Sequence, residues 1–330
     1  MRDLACPIVV APMAGGPSTP DLVVSALGAG AFGFLAGGYR TAAALRDEMR
    51  EVRRRSDRPF GVNVFVPGHP TADPEGLADY LARLTAEGLS LGEARWDDDG
   101  WDAKLDLLRS EAPAVVSFTF GCPDRATTGR LQAVGSEVWV TVTSTGEGRM
   151  AAAAGADVLV VQGPDAGGHR GSFDDADPAD AAPLPELLRS IETATGLPLV
   201  AAGGIASREG VGAALAAGAR AVQCGTVFLR CPESGTNPVH RASLGDPRFT
   251  ETALTRAFSG RLGRGLRNRF MEEHPEAPRA YPEINNATGP PRAAARRTGD
   301  ADRVNLWAGT GFRRALEAPV GEVVRSLLPT

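Results

Sequence analysis

The residues in this chain best suited to chemistry stand where apolar runs give way to glycine, amides and histidine. Val158-Leu159-Val160-Val161 is an unbroken run of strand formers, as expected of a parallel strand buried on both faces. Gln162 follows, then four glycines within nine residues (Gly163, Gly167, Gly168, Gly171), with His169 and Arg170 among them. Glycine lets backbone approach a ligand and turn with positive φ. Imidazole is suited to proton transfer near neutrality. A buried strand ending in such a loop reads as an active-site edge with His169 as its catalytic group. The competing reading is a surface loop with an idle histidine, the commoner fate of a lone histidine; the rest of the chain decides between them.

Two further strand ends carry the same character. Ala201-Ala202-Gly203-Gly204-Ile205 runs into a helix, and Gln223-Cys224-Gly225-Thr226 follows the next strand. Bare glycine amides and a helix N-terminus bind an anion without a lysine. Tight helix–strand packing would also call for glycine, but the paired placement favours a phosphate. That phosphate could belong to a sugar phosphate, a nucleotide or FMN. Asn63 interrupts the apolar run Phe60 to Val66, and a polar group in a buried strand needs a partner. Asn63 and Gln162 can each donate and accept, which the edge of an isoalloxazine ring requires.

The positioning elements alternate. Strands are expected at Ile8 to Pro12, Ala31 to Leu35, Phe60 to Val66, Ala114 to Phe120, Val138 to Thr143, Val158 to Val161, Leu197 to Ala202 and Ala221 to Gly225. Most are separated by helices, among them one opened by Thr19-Pro20-Asp21 as cap, first position and acidic first turn. Gly155 and Gly218 each stand just past a helix and just before a strand, where a left-handed residue closes the helix. Eight such units make an α/β fold of the (β/α)8 TIM-barrel type, usually about 250 residues plus insertions. An open doubly wound sheet would show Gly-x-Gly-x-x-Gly after its first strand, and Gly15-Gly16-Pro17 is not that. The domain reading is a barrel of residues 1–231 and 311–330, with an excursion at 67–99. Residues 232–310 form a capping segment over the barrel mouth. Helical pieces are expected near Arg264 to Glu273 and Pro291 to Thr298, and a last helix at about Gly311 to Leu328. In this fold the chemistry gathers at the C-terminal strand ends, with phosphate at the last two. Those ends include Met13, Asn63, Cys122, Thr143-Ser144 and the three stretches above.

Bulk properties narrow the function class. The chain has 330 residues, 43% hydrophobic and 23% charged, with a net charge of −5, which gives no electrostatic footprint for nucleic acid. No stretch is long and apolar enough to span a membrane. Met1-Arg2-Asp3-Leu4 runs straight into a strand and lacks a signal peptide's apolar core. Cys6, Cys122, Cys224 and Cys231 form no Cys-x-x-Cys pair, so reduced thiols in the cytoplasm are expected. His69, His169, His240 and His274 show no metal-ligand spacing, and no metal is expected.

The chain resembles the nitronate monooxygenases, formerly grouped with the 2-nitropropane dioxygenases. The resemblance rests on Pro12-Met13-Ala14-Gly15-Gly16, Gly61-Val62-Asn63-Val64-Phe65, Gln162-Gly163 through Ala166-Gly167-Gly168-His169-Arg170-Gly171, and the two glycine ends at 201–205 and 223–226. Thr255-Arg256, Ser259-Gly260-Arg261 and Leu306-Trp307-Ala308-Gly309 extend it over nearly the whole chain. The glycine motifs are shared with wider FMN barrels, including FMN-dependent enoyl-ACP reductases; the Met-Ala-Gly-Gly start and Leu-Trp-Ala-Gly point more narrowly. The resemblance implies FMN held at Met13, Asn63, Gln162, Gly167 with Gly168, Gly203 with Gly204, and Gln223, Cys224, Gly225 and Thr226. It implies His169 as base or substrate-orienting residue, with Cys122 and Tyr281 near the cavity once the cap closes, and core packing as the favoured role of Cys122. The implied reaction is oxidation of alkyl nitronates, and of nitroalkanes with them, by O2. The alternative is an FMN-dependent NAD(P)H reductase of enoyl-ACP or quinone type. A non-catalytic flavin binder is disfavoured by the His169 loop.

Overall fold

A computed structural model describes residues 6–175 and 182–329; the start at Met1 to Leu4, read above as leaderless, lies outside them. In chain order the elements are β1 (Ile8–Val10), α1 (Pro20–Gly28), β2 (Phe32–Ala36), α2 (Ala42–Arg55), β3 (Gly61–Phe65), α3 (Pro74–Ala86) and α4 (Trp101–Glu111). Next come β4 (Val115–Thr119), α5 (Arg125–Ala133), β5 (Glu137–Val142), α6 (Thr145–Ala153), β6 (Val158–Gln162), the two-residue β7 (Gly168–His169), α7 (Leu184–Thr195) and β8 (Leu199–Ala202). The remainder is α8 (Arg208–Ala216), β9 (Ala221–Cys224), α9 (Pro238–Ser243), β10 (Thr252–Thr255), β11 (Gly263–Leu266), α10 (Arg269–Glu273), α11 (Glu283–Ala287), α12 (Gly289–Thr298) and α13 (Val320–Leu327). Strands β1 to β6, β8 and β9 close into a parallel barrel, with β1 pairing both β2 and β9. The fold is a TIM barrel.

Local signals explain much of this. Thr19 accepts a hydrogen bond from the Leu22 amide at 3.0 Å and Pro20 opens α1. Gly155 (φ +89°) and Gly218 (φ +103°) close their helices in the left-handed conformation. The barrel interior is plugged by Phe32, Phe34 and Trp139, with ring centroids 5.2 to 5.9 Å apart. Gly61 is glycine because a Cβ there would run into the Phe34 ring.

The excursion packs on residues of the 232–310 segment. Leu77, Tyr80 and Leu84 of α3 pack with Phe258, Phe270, Met271 and Ile284 in one buried cluster. Burying that apolar stripe of α3 gives the 67–99 segment its reason to order. Two expectations need correction. Residues 263–266 are strand, not the start of a helix: Gly263 and Gly265 let β11 run against Trp307 and the Leu306 carbonyl, 3.1 and 2.8 Å from where their Cβ atoms would be. The last helix begins only at Val320. Pro319 stands just before its first position, and the residue preceding a proline is pushed away from helix. Strand β11 pairs antiparallel with β10 and with β7, a small sheet the sequence pattern does not announce. Among the described residues no helix is long and apolar enough to cross a membrane.

Candidate active site

A cavity of about 560 Å³ opens at the C-terminal end of the barrel, between the strand ends and the cap, within the range of small-molecule sites. Met13, Asn63, Gln162, Gly167, Gly168, His169, Gly203, Gly204, Gln223, Cys224, Gly225 and Thr226 all line it. Cys122 takes the core-packing role expected of it: its side chain packs against the core and its Sγ contacts the Pro123 carbonyl. Thr143 and Ser144 serve α6 instead, the first held by Glu147 and the second capping the helix. Thr119 and Thr141, two residues before Thr143 in the second case, line the cavity wall at these strand ends.

The barrel side of the cavity is largely backbone. The N–H groups of Gly204, Gly225 and Thr226 take no hydrogen-bond partner among the described residues; Gly204 lies in the turn leading to the Ser207 cap of α8, and Gly225 and Thr226 open a short 3-10 turn at Thr226–Phe228. Gly203 (φ +104°) and Gly204 (φ +72°) have left-handed backbones. Gly167 has a packing reason for being glycine, since a Cβ there would collide with the Gly309 nitrogen. The Leu306–Gly309 segment is thereby threaded against the loop after β6, and the Gly309 N–H bonds Thr226 Oγ1 at 3.0 Å. Asn63 Nδ2 donates to Ser117 O, Ser117 Oγ and Thr119 Oγ1 at 2.8 to 3.2 Å. That satisfies the amide group of a buried strand and leaves Oδ1 for the cavity. Gln162 is tied at both ends: Nε2 donates to the His169 carbonyl at 3.1 Å and Oε1 accepts from the Gly171 amide at 2.8 Å. Its first role is to shape the His169 loop.

That loop is stitched from the cap. Gly263 pairs with His169 across β11 and β7, and the Arg170 amide donates to the Leu262 carbonyl at 2.8 Å. Arg261 Nε donates to the Arg170 carbonyl at 3.2 Å, and its Nη2 to that of Ser172. The Arg261 guanidinium lies 4.0 Å from the Phe120 ring centroid. Phe120 itself has φ +74°, a conformation costly for a non-glycine residue, and its ring stands 5.9 Å from His169 and 5.6 Å from Tyr281. Trp307 is 5.1 Å from His169. The histidine thus sits in an aromatic enclosure, with Nε2 2.8 Å from Ser259 Oγ. Burial, with Arg261 and Arg292 nearby, pulls His169 down to about 3, so the imidazole is neutral at physiological pH.

The cap wall is made of charged and amide side chains. Arg292 and Arg296, one turn apart on α12, both line the cavity with Asn285, Asn286 and Asn305. Arg292 donates to the Thr288 and Asn285 carbonyls and to Asn285 Oδ1 at 2.6 to 3.2 Å. Burial and Arg296 lower Arg292 to about 10, which leaves it a cation. Among the described residues no Asp or Glu lines the cavity, and neither arginine has a carboxylate within ion-pair distance. Tyr281, expected near the cavity, stands 5.6 Å from His169 with its hydroxyl 3.0 Å from that of Tyr39. Tyr39, Phe120, Ser259, Arg292 and Trp307 are site residues to which the sequence reading gives no role.

Comparison with known proteins identifies the family. A sequence profile of the nitronate monooxygenase family matches residues 1–330. The chain is 41% identical to a nitronate monooxygenase of Pseudomonas aeruginosa, over 98% of this chain and 95% of that one. It is 35% identical to a probable nitronate monooxygenase of Bacillus subtilis, over 95% and 92%. Among solved structures, nitroalkane oxidase from Streptomyces ansochromogenes superposes with TM-score 0.94 at 44% identity, covering 98% of this chain and 95% of that one. FabK from Thermotoga maritima follows at TM-score 0.73 and 26% identity, covering 98% and 92%. With its barrel, cap and histidine loop, the chain belongs to the nitronate monooxygenase family.

Proposed function

We propose that the protein is an FMN-dependent enzyme that oxidises alkyl nitronates, and nitroalkanes with them, by O2. One observation carries the reading: a cavity with no carboxylate on its wall among the described residues, an arginine cation and a neutral histidine on one side, and partnerless glycine amides on the other. Both an anionic substrate and a phosphate suit such a site. The amides of Gly204, Gly225 and Thr226 would hold the FMN phosphate, with Met13, Asn63, Gln162 and Gln223 along the ring and ribityl chain. FMN supplies the two-electron acceptor that O2 reoxidises.

The protein's own residues bind and orient. Arg292 offers an unpartnered Nη1 to a nitro or nitronate oxygen. His169 stands beside the reacting carbon, and Phe120, Tyr281 and Trp307 limit water around it. A nitronate arrives already ionised and needs no strong base, which suits an imidazole held near 3.

The glycine motifs shared with FMN-dependent reductases, and the structural likeness to FabK, supply the competing reading of an NAD(P)H-dependent reductase. Anaerobic flavin reduction separates the two. The purified protein should be yellow and release FMN on denaturation. Ethyl nitronate should then reduce it faster than NADH or NADPH does. Rapid reduction by NADPH with no response to nitronate would transfer the assignment to the reductase, and a colourless protein that cannot be reconstituted with FMN would remove both.

A further inference from the structure

The hydrogen bonds around His169 can be counted proton by proton. Ser259 is buried, and its hydroxyl has one hydrogen and three neighbours: the Arg261 carbonyl at 3.1 Å, the Arg261 amide at 3.3 Å and His169 Nε2 at 2.8 Å. The amide can only donate to Oγ. The carbonyl can only accept, and Ser259 is its one donor among the described residues. Sending the hydroxyl proton to His169 would leave that buried carbonyl unsatisfied, a costly state. Sending it to the carbonyl satisfies every group, and Oγ then accepts from Nε2–H. The neutral ring has one N–H, so its lone pair falls on Nδ1. Nδ1 makes no hydrogen bond to the described residues and is not sealed in the interior, so it opens to the cavity that His169 lines.

We propose that Ser259 is a positioning residue that keeps the His169 proton on Nε2, leaving Nδ1 as the base that takes the α-proton of a neutral nitroalkane. The proposal rests on the reading above and adds the residue and the ring nitrogen on which its nitroalkane arm depends. In the step, the Nδ1 lone pair bonds the proton, the C–H bond breaks, and its electron pair moves into the nitro group to give the nitronate. The imidazolium keeps its Nε2–H bond to Ser259, which passes its own hydrogen bond to the Arg261 carbonyl. Arg261 and Arg292 oppose a second proton on the ring in the protein alone. The nitronate being formed beside Arg292 offsets that opposition as the proton arrives. A pre-formed nitronate skips this step and needs no particular tautomer.

The test combines a spectroscopic reading with a substrate comparison. Nitrogen NMR of histidine-labelled protein should show His169 with a protonated Nε2 and a pyridine-type Nδ1, and this requires no turnover. In Ser259→Ala the tautomers should mix. Turnover of nitroethane should fall on the order of 10²-fold, the lower range for a general base, while turnover of ethyl nitronate changes about twofold. Ser259→Thr, which keeps the hydroxyl, should recover most of the nitroethane rate. A proton found on Nδ1 in the wild type overturns the proposal, as does equal loss on both substrate forms in Ser259→Ala. If no form of the substrate reacts with FMN-loaded wild type, the functional reading fails instead, and the NMR result still decides the tautomer.

Discussion

The two walls of the cavity are built from different material. The barrel wall at β8 and β9 presents glycine backbone with partnerless amides. The cap wall presents side chains: Arg292, Arg296 and three asparagines, with His169 held between the two. A backbone site is fixed by the fold and serves any ligand with the same phosphate. A side-chain site can be altered one residue at a time without touching the barrel. Under the function proposed above, cofactor retention falls to one wall and substrate handling to the other, and each assignment can be broken separately.

The largest effect is expected on the backbone wall. Gly204 has φ +72°, and a Cβ there would lie 2.6 Å from Asp165 Cβ. Gly204→Ala should therefore strain the turn and move its amide, lowering FMN affinity on the order of 10²-fold for about 1–3 kcal/mol of strain. Gly225 has an ordinary φ, and its Cβ would make contacts of 3.4 Å with Ala11 and Met13. Gly225→Ala should keep FMN affinity within about threefold, since it adds one methyl in van der Waals contact. Flavin titration of the folded apoproteins reads both. Wild-type affinity in Gly204→Ala would take the phosphate away from the β8 loop.

An intermediate effect is expected on the cap wall. Arg292→Met removes a charge-assisted hydrogen bond to the substrate, about 1.5–3 kcal/mol. KM for ethyl nitronate should rise roughly 10- to 100-fold while FMN affinity stays near wild type. Arg292→Lys keeps the charge without the fork geometry and should fall between. If Arg292→Met loses FMN and substrate in parallel, the two walls are not functionally distinct.

The same division governs what the sequence discloses. The barrel wall is readable because each requirement is local: an apolar run, then a glycine where the chain turns. Met13, Asn63, the His169 loop and the glycine ends after β8 and β9 line the cavity for that reason. The cap wall is not readable in this way. Arg292 and Arg296 lie in Pro-Pro-Arg-Ala-Ala-Ala-Arg-Arg, which has the pattern of a solvated helix face, and only tertiary packing turns them inward. Tyr39 (φ +64°) and Phe120 (φ +74°) are held by Asp99 and Arg261, distant in sequence, so no local rule signals their conformation. Strand β11 reads as helix from the sequence although Gly263 and Gly265 alternate with period two, the one cue present. Gln162 reads as a ligand contact and lines the cavity; that its amide also ties down the loop at His169 and Gly171 is not legible, because those bonds depend on how the loop folds back.

The smallest effect sharpens the contrast through pH. Burial and neighbouring arginines pull His169 to about 3 and His240, another cavity-lining residue, to about 4. Burial also lowers His274. His169 and His240 are neutral in the fold and titrate near 6.5 when unfolded. Between those values the unfolded chain binds more protons, so stability rises with pH. The contribution is complete above about 6.5 and is lost as pH falls toward 4 and 3, at a slope of at most about 1.4 kcal/mol per pH unit for each histidine. Urea unfolding between pH 7 and 5 should show this loss, and His240→Asn should remove one share of the slope. An anion bound beside Arg292 should remove the His169 share by favouring its protonation, whereas FMN phosphate at the glycine wall should leave that share largely in place. A slope that is insensitive to His240→Asn would mean that burial at the cap wall does not hold that ring neutral. A slope abolished equally by inorganic phosphate and by nitronate would mean that the two walls share one field.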